Sequence, residues 1–157
     1  MITFNQSGII NAPIEKVFAY ISDPQKIPEW RKDVPGISQI SGAPNAGATF
    51  YEDVNFMGKK KLLMKIIEFI PNKKIVIEAQ SGMALLPTQE FTFTPQGNQT
   101  RVDLVVIMRV SGLFTLLQPM LPTQLKKTWA GYFQNLNQVL TEYIVFGDWH
   151  DPRECRS

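Results

Sequence analysis

Few of the residue types that most often catalyse reactions or bind metals occur in this sequence. It contains one cysteine, Cys155, and one histidine, His150, and both lie in a polar stretch near the C-terminal end. A disulfide within the chain is therefore excluded, and the single cysteine fits a reducing compartment. A Ser-His-Asp triad and a histidine-based metal site are disfavoured because the one histidine lies in this polar stretch. We expect no metal and no cofactor.

Long apolar runs and a strong charge of one sign are lacking as well. No segment approaches the roughly 20 apolar residues that span a bilayer, and the first residues, MITFNQSG, lack the features of a signal peptide. The net charge of +2 is too small to indicate nucleic acid as a partner. Hydrophobic residues make up 44% of the chain, enough for a folded core. We expect one cytoplasmic domain over residues 1–147 and a polar tail over residues 148–157.

The hydrophobic pattern near the start predicts a strand followed by two short helices. Residues 2–10 are typical of a strand. Between Asn11 and Trp30 two helix starts follow, each opened by a proline, Pro13 and Pro24. Four apolar residues have the i, i+3, i+4, i+7 spacing of one helix face: Ile14, Val17, Phe18 and Ile21.

The middle of the chain reads as strands joined by short turns. Apolar and polar residues alternate in it, most clearly over residues 101–110, where the charged side chains share one parity and the aliphatic ones the other. Short turns between consecutive strands favour an antiparallel meander. The predicted strands span residues 49–57, 60–70, 74–80, 89–94 and 101–110.

A long amphipathic helix is predicted after the strands. It begins near Pro122 and Thr123 and ends near Gly147. Its apolar stripe follows a helical period: Leu125, Trp129, Phe133, Leu136, Leu140 and Tyr143. This stripe would cover the apolar face of the sheet, so the pattern predicts an α+β domain with helices on one face of a curved sheet.

Several motifs resemble those of the START-like superfamily, also called SRPBCC or Bet v 1-like, and within it the polyketide cyclase/dehydrase-like group. Residues 9–18 follow the pattern apolar-x-Ala-Pro-x-x-x-Val-Phe, and Asp23-Pro24 and Trp30 come next. Residues 95–102, PQGNQTRV, are similar to the family's Pro…Gly-x-Thr-x-Val turn, and residues 136–140 fit its terminal helix. The resemblance spans about residues 2–146. It rests on packing and turn residues, which identify a fold better than a function.

The resemblance implies a helix-grip fold, in which a curved antiparallel sheet wraps around the long C-terminal helix and two short helices follow strand 1. It also implies an apolar cavity that in the family holds lipids, sterols, polyketides, quinones or plant hormones. We therefore expect this chain to bind, transport or sense a small hydrophobic ligand. Strand parity and the helical stripe predict the wall of the cavity: Trp30, Phe50, Val54, Met64, Phe91, Phe93, Leu104, Val106, Met108, Trp129, Phe133 and Leu136.

An enzyme, a polyketide cyclase or dehydrase acting on a hydrophobic substrate, is the alternative interpretation. Its weak candidate for the acid or base is Glu52, which shares a strand parity with Phe50, Val54 and Phe56 and so is predicted to point inward. The inward positions are otherwise apolar, and Arg101 carries the outward parity. Binding is therefore favoured over catalysis.

The stretch from Gly112 to Pro122, GLFTLLQPMLP, is unusually apolar for a connection between a strand and a helix. It is either an inward-packed turn or a lid over the cavity, formed by Gly112, Leu113, Phe114 and Leu117. As a lid it would touch a membrane transiently, without stable insertion. A third interpretation makes this stretch a protein-interaction surface. Monomer and dimer both remain open.

Overall fold

The computed structural model describes the backbone of residues 1–147 and the side chains of residues 1–116 and 118–141. The predicted tail, with His150 and Cys155, lies outside the described residues, as do the side chains of Leu117 and Tyr143. The strands are β1 (Ile2–Ile10), β2 (Gly36–Ser38), β3 (Thr49–Asn55), β4 (Lys59–Ile70), β5 (Lys74–Ser81), β6 (Leu85–Gln96) and β7 (Gln99–Val110). The helices are α1 (Ile14–Ser22), α2 (Ile27–Trp30) and α3 (Leu121–Gly147), with 3-10 segments at Pro24–Lys26 and Gly112–Leu117.

All of these strands form one sheet in the order β1-β7-β6-β5-β4-β3-β2, and every neighbouring pair is antiparallel. The predicted meander is confirmed, and β1 adds to its free edge beside β7. The structure differs from the predicted strands most clearly in two places. The three-residue β2 was not predicted, because it is too short to show alternation. β6 begins at Leu85, ahead of the predicted Gln89, and it includes Pro87, a residue that usually argues against a paired strand.

The predicted helix-grip fold is confirmed by the position of α3, which lies across the concave face of the sheet. Trp129, Phe133, Leu136 and Leu140 from its stripe are all buried against the strands. Leu125, nearer the start of the helix, is only partly buried. No described helix is long and apolar enough to cross a membrane.

Aromatic side chains fill the space between the sheet and the two short helices. Trp30 packs edge-on against Phe91 with ring centroids 6.3 Å apart, and Phe18 packs edge-on against Phe93 at 5.1 Å. These rings close the interior at the end of the sheet that α1 and α2 cover. Edge-to-face pairs of this kind stabilise a core beyond the area that they bury.

The α3 helix packs closely against the sheet at Gly8 in β1. A Cβ atom at this position would lie 2.8 Å from Cε1 of Phe133, a buried ring. Only glycine therefore lets the helix pack this closely. Gly131, two residues before Phe133 on the same helix, has open space around its Cα.

We predict opposite effects for alanine at these two glycines. Gly8→Ala should lower the free energy of unfolding by about 1–3 kcal/mol, because the new methyl group overpacks the Phe133 ring. Gly131→Ala should raise it by roughly 0.5–1 kcal/mol, because alanine favours the helix more than glycine. Urea unfolding followed by circular dichroism measures both values. A Gly8→Ala variant as stable as the wild type would show that α3 does not pack this closely.

Candidate functional site

A cavity of about 300 Å³ lies between the first half of α3 and the end of the sheet that the aromatic core leaves open. Its apolar wall consists of Val54, Phe56, Leu62, Met83, Leu85, Pro87, Met108, Leu121, Leu125 and Trp129. Its polar wall consists of Arg31, Asp33, Asn55, Gln124, Thr128 and Tyr132. The volume is at the lower end of the roughly 300–1,000 Å³ typical of small-molecule sites.

The predicted wall residues fall into two groups in the structure. Val54, Met108 and Trp129 line this cavity. The other nine lie in the packed core: Trp30, Phe50, Met64, Phe91, Phe93, Leu104, Val106, Phe133 and Leu136. Strand parity and the helical stripe predicted inward-facing positions, but they could not distinguish the part of the interior that is filled by neighbouring rings from the part that faces empty space. A ligand-binding role for either group stays a prediction.

A buried arginine that sequence reasoning missed forms the polar end of the cavity. Arg31, directly after α2, is 4% exposed. Its Nη2 and Nε atoms donate to the two carboxylate oxygens of Asp33 at 2.7 and 3.2 Å. Its Nη1 atom lies 3.4 Å from both carboxylate oxygens of Glu52 in β3. One guanidinium therefore serves two carboxylates, with the shorter contacts to Asp33.

Two aromatic side chains of α3 pack against the same guanidinium. The Cζ atom of Arg31 lies 4.8 Å from the centroid of the Trp129 ring and 5.7 Å from that of Tyr132. Both distances suit a cation–π contact, which is stronger where water is excluded. The Tyr132 hydroxyl group also lies close to the Asp33 carboxylate. We call Arg31, Asp33, Glu52, Trp129 and Tyr132 the Arg31 cluster.

Burial has the largest effect on the pKa of Glu52, whose carboxylate contacts Arg31. Desolvation raises the pKa of Glu52 above its ordinary value; the opposing effect of Arg31 is smaller, and the nearby Asp33 adds to the rise. Desolvation also raises the pKa of Tyr132, so this phenol stays neutral. For Arg31, burial alone would lower the pKa, but Glu52 and Asp33 reverse that effect and raise it. The guanidinium is charged at every accessible pH.

The structure places Glu52 on the inner face of β3 with an exposed fraction of 1%. It is not among the residues that line the cavity, whereas Arg31, whose Nη1 atom lies 3.4 Å from its carboxylate, is. A catalytic role for Glu52 stays a prediction. The signal that could have found Arg31 was Glu52 itself, since a carboxylate predicted on an apolar face needs a buried cation nearby.

The apolar stretch before α3 contacts the cavity wall through one side chain. Gly112–Leu117 forms a 3-10 helix, in which Leu113 and Leu116 are exposed and Phe114 is partly buried. The Phe114 ring contacts Phe56 of the cavity wall at a centroid distance of 5.9 Å. Movement of this stretch as a lid stays a prediction.

A larger depression of about 730 Å³ lies outside the sheet–helix interior, between β1 and α3. Its walls include Phe4 and Gln6 on the strand and Lys126 and Ala130 on the helix. It is a groove open to solvent, so a ligand bound there would keep more of its contact with water than a ligand bound in the cavity. Among the described residues no group of three His, Cys, Asp or Glu side chains could hold a metal ion.

Residues 1–142 match the sequence profile of a family described as polyketide cyclase / dehydrase and lipid transport. The chain belongs to this family. The resemblance drawn from the Ala12-Pro13 and Gly97 motifs is thereby confirmed. The polyketide cyclase / dehydrase and lipid transport family covers both enzymes and carriers by its description, so membership alone does not choose between them. No curated protein matches the sequence.

Solved structures show the same fold. A START superfamily protein from Mycobacterium smegmatis aligns with a TM-score of 0.76 at 18% identity, over 89% of this chain and 97% of that one. The ZhuI aromatase/cyclase from Streptomyces sp. R1128 aligns with a TM-score of 0.74 at 10% identity, over 90% and 94%. A conserved protein from Geobacillus kaustophilus gives 0.68 at 16%, over 90% and 97%. At these identities the similarity shows the START fold and says nothing about a ligand.

We predict that Arg31 is required for stability because of the carboxylates around it. Arg31→Met should lower the free energy of unfolding at pH 7 by about 3–5 kcal/mol, since it leaves buried carboxylates without a cation. The double variant Arg31→Met/Glu52→Gln should recover part of this loss. Arg101→Met is the matched control and should change stability much less, because Arg101 and Asp103 form an exposed ion pair. A double variant that is no more stable than Arg31→Met would contradict the pairing.

A second prediction concerns pH. Because its pKa is raised, Glu52 holds its proton to a higher pH in the folded protein than in the unfolded chain. Its contribution to stability is therefore fully present below the ordinary value of 4.5 and is lost as the pH rises through the raised folded value. Urea unfolding of wild type and Glu52→Gln should show their stability difference shifting in favour of the variant as pH increases. Arg31 and Asp33, which face Glu52, are present in both proteins. A pH-independent difference would argue against the raised pKa.

Proposed function

We propose that this protein binds a small hydrophobic molecule in the cavity beneath the first half of α3. The observation that carries the proposal is the cavity itself: about 300 Å³ of space, with an apolar wall, in a fold whose remaining interior is tightly packed. Empty apolar space lowers the stability of a protein by roughly 24 cal/mol per Å³. A ligand that fills it recovers contacts that the side chains cannot make with one another.

The binding energy would come mainly from apolar contact. Removing apolar surface from water contributes roughly 25 cal/mol per Å², and Leu62, Leu85, Met108 and Trp129 present such surface to the cavity. Met83 and Met108 add flexible side chains that adapt to the shape of a ligand. The polar wall is confined to three members of the Arg31 cluster and to Asn55, Gln124 and Thr128. It would orient a ligand and not hold it by itself.

The polyketide cyclase or dehydrase alternative is less well supported. Proton transfer requires the acid or base to come within hydrogen-bonding distance of the substrate. Glu52, its candidate, lies behind Arg31 and outside the cavity wall. This alternative predicts that Glu52→Gln binds the substrate but no longer turns it over.

The interaction-module alternative rests on the exposed side chains before α3. Leu113 and Leu116 are 82% and 79% exposed, whereas Phe114 contacts Phe56. It predicts a dimer or partner complex that Leu113→Ser/Leu116→Ser disrupts. Light scattering of the two proteins after size-exclusion chromatography tests for the dimer.

Native mass spectrometry, followed by solvent extraction of the purified protein, tests the binding function. We predict that an apolar molecule copurifies with the wild type and is released by organic solvent. Leu125→Trp, which fills the cavity from α3, should lose this molecule. Leu116→Trp is the matched control, since Leu116 is exposed and outside the cavity wall, and it should keep the molecule.

Two results would count against the proposal. One is a folded wild-type protein that never carries or takes up an apolar molecule. The other is equal binding by Leu125→Trp and Leu116→Trp, which would place the ligand outside the cavity.

A further inference from the structure

We propose that the cavity selects uncharged amphiphiles, such as alcohols, phenols or ketones with an apolar body, and excludes organic anions such as fatty acids. The inference rests on the proposed binding function and adds the chemical class of the ligand. It follows from the balance of charge in the Arg31 cluster.

Of the described residues that line the cavity, only Arg31 is cationic, and it is already paired with two carboxylates. Nε and Nη2 of Arg31 both donate to Asp33, and Nη1 is directed at Glu52. Asp33 is also the one carboxylate that lines the cavity. The carboxylates therefore equal or exceed the guanidinium in charge. An anionic ligand would bring a further negative charge next to Asp33, whose side chain is only 22% exposed, and unpaired charges are disfavoured where water is partly excluded.

The arginine is not free to turn towards such a ligand. Trp129 and Tyr132 both pack against its guanidinium, at 4.8 and 5.7 Å from Cζ to the ring centroids. Reorientation would break these contacts together with the paired hydrogen bonds to Asp33. A fatty-acid carboxylate would have to compete for Arg31 with the carboxylate of Asp33, which lies only two residues further along the chain.

Among the described residues, no other cation belongs to the cavity wall. Lys59, Lys60 and Lys61 are exposed at the start of β4, and Lys126 and Lys127 are exposed on α3. None of these five residues belongs to the cavity wall. The remaining polar wall residues are neutral: Asn55, Gln124, Thr128 and Tyr132. They can exchange hydrogen bonds with a hydroxyl or carbonyl group, as an uncharged head group requires.

A matched pair of fluorescent dyes tests this selection. N-phenyl-1-naphthylamine is uncharged, and 1-anilinonaphthalene-8-sulfonate is the same ring system with one sulfonate. The Kd of each dye is measured with the wild-type protein. The ratio of the two Kd values is then compared with the ratio of the two dyes' partition coefficients into neutral detergent micelles. That reference corrects for the preference of the sulfonate for water. We expect the protein to discriminate against the sulfonate by at least about tenfold more than the micelles do.

Asp33→Asn identifies the residue responsible. It removes one negative charge with little change in shape, so the protein's ratio should fall towards the micelle value. Leu125→Trp should lose both dyes, which shows that the signal comes from the cavity and not from the exposed lysines. Circular dichroism checks that each variant is folded, and the wild-type comparison stands alone if Asp33→Asn is not.

The outcomes separate the two proposals. Binding of neither dye to the cavity would overturn the proposed function. Binding of both dyes in the micelle ratio would leave that function intact and overturn the selection of uncharged ligands. Discrimination that persists unchanged in a folded Asp33→Asn variant would overturn the role assigned to the Arg31 cluster.

Discussion

The guanidinium group of Arg31 joins parts of the molecule that are distant in the chain. Through Glu52 it contacts β3, and through Trp129 and Tyr132 it contacts α3, while its own backbone continues α2. Its backbone N–H also closes the last turn of α2 by donating to Ile27. The short helix, the sheet and the long helix therefore meet at one side chain. A charge this deeply buried is stable only with its partners in place, so it couples the three elements to one another.

This coupling divides the interior into two regions with different properties. On one side, the pair Gly8 and Phe133 brings α3 tightly against β1, and the buried rings of Trp30 and Phe91 pack edge-on against each other. On the other side, beyond Arg31, the helix spans a cavity lined by shorter or more flexible side chains such as Val54 and Met108. One half of α3 thus provides stability, and the other half leaves room for a ligand.

Much of this architecture could be predicted from the sequence, because it depends on periodic patterns. Alternation in β7, the helical stripe from Leu125 to Leu140 and the prolines that open the first helices are local features, and each predicted element is present. The resemblance of residues 9–18 to the START-like motif then predicted how these helices and strands are arranged in space. Strand parity also predicted an inward-facing Glu52, which the structure buries.

The candidate site was harder to predict, because its contacts are not periodic. Arg31 follows a helix of four residues and pairs with a carboxylate 21 residues away, a relation that no spacing rule contains. Tyr132 lies beside the apolar stripe of α3, and its importance depends on where Asp33 sits. The extent of the cavity depends on which of the inward side chains touch one another. Those contacts are determined by side-chain volume and register across several strands, which a pattern along one strand does not report.

The contact between Phe56 and Phe114 has a consequence for how a ligand would enter and leave the interior. Because Arg31 ties α3 to β3, lifting the helix from the sheet would expose an ion pair, whereas separating two aromatic rings at the rim breaks only a 5.9 Å contact. Of these two movements, separating the rings therefore costs less. A ligand that entered by this route would pass between the β3–β4 turn and the 3-10 helix, so the dimensions of that gap, and not those of the cavity, would limit how quickly it arrives and leaves.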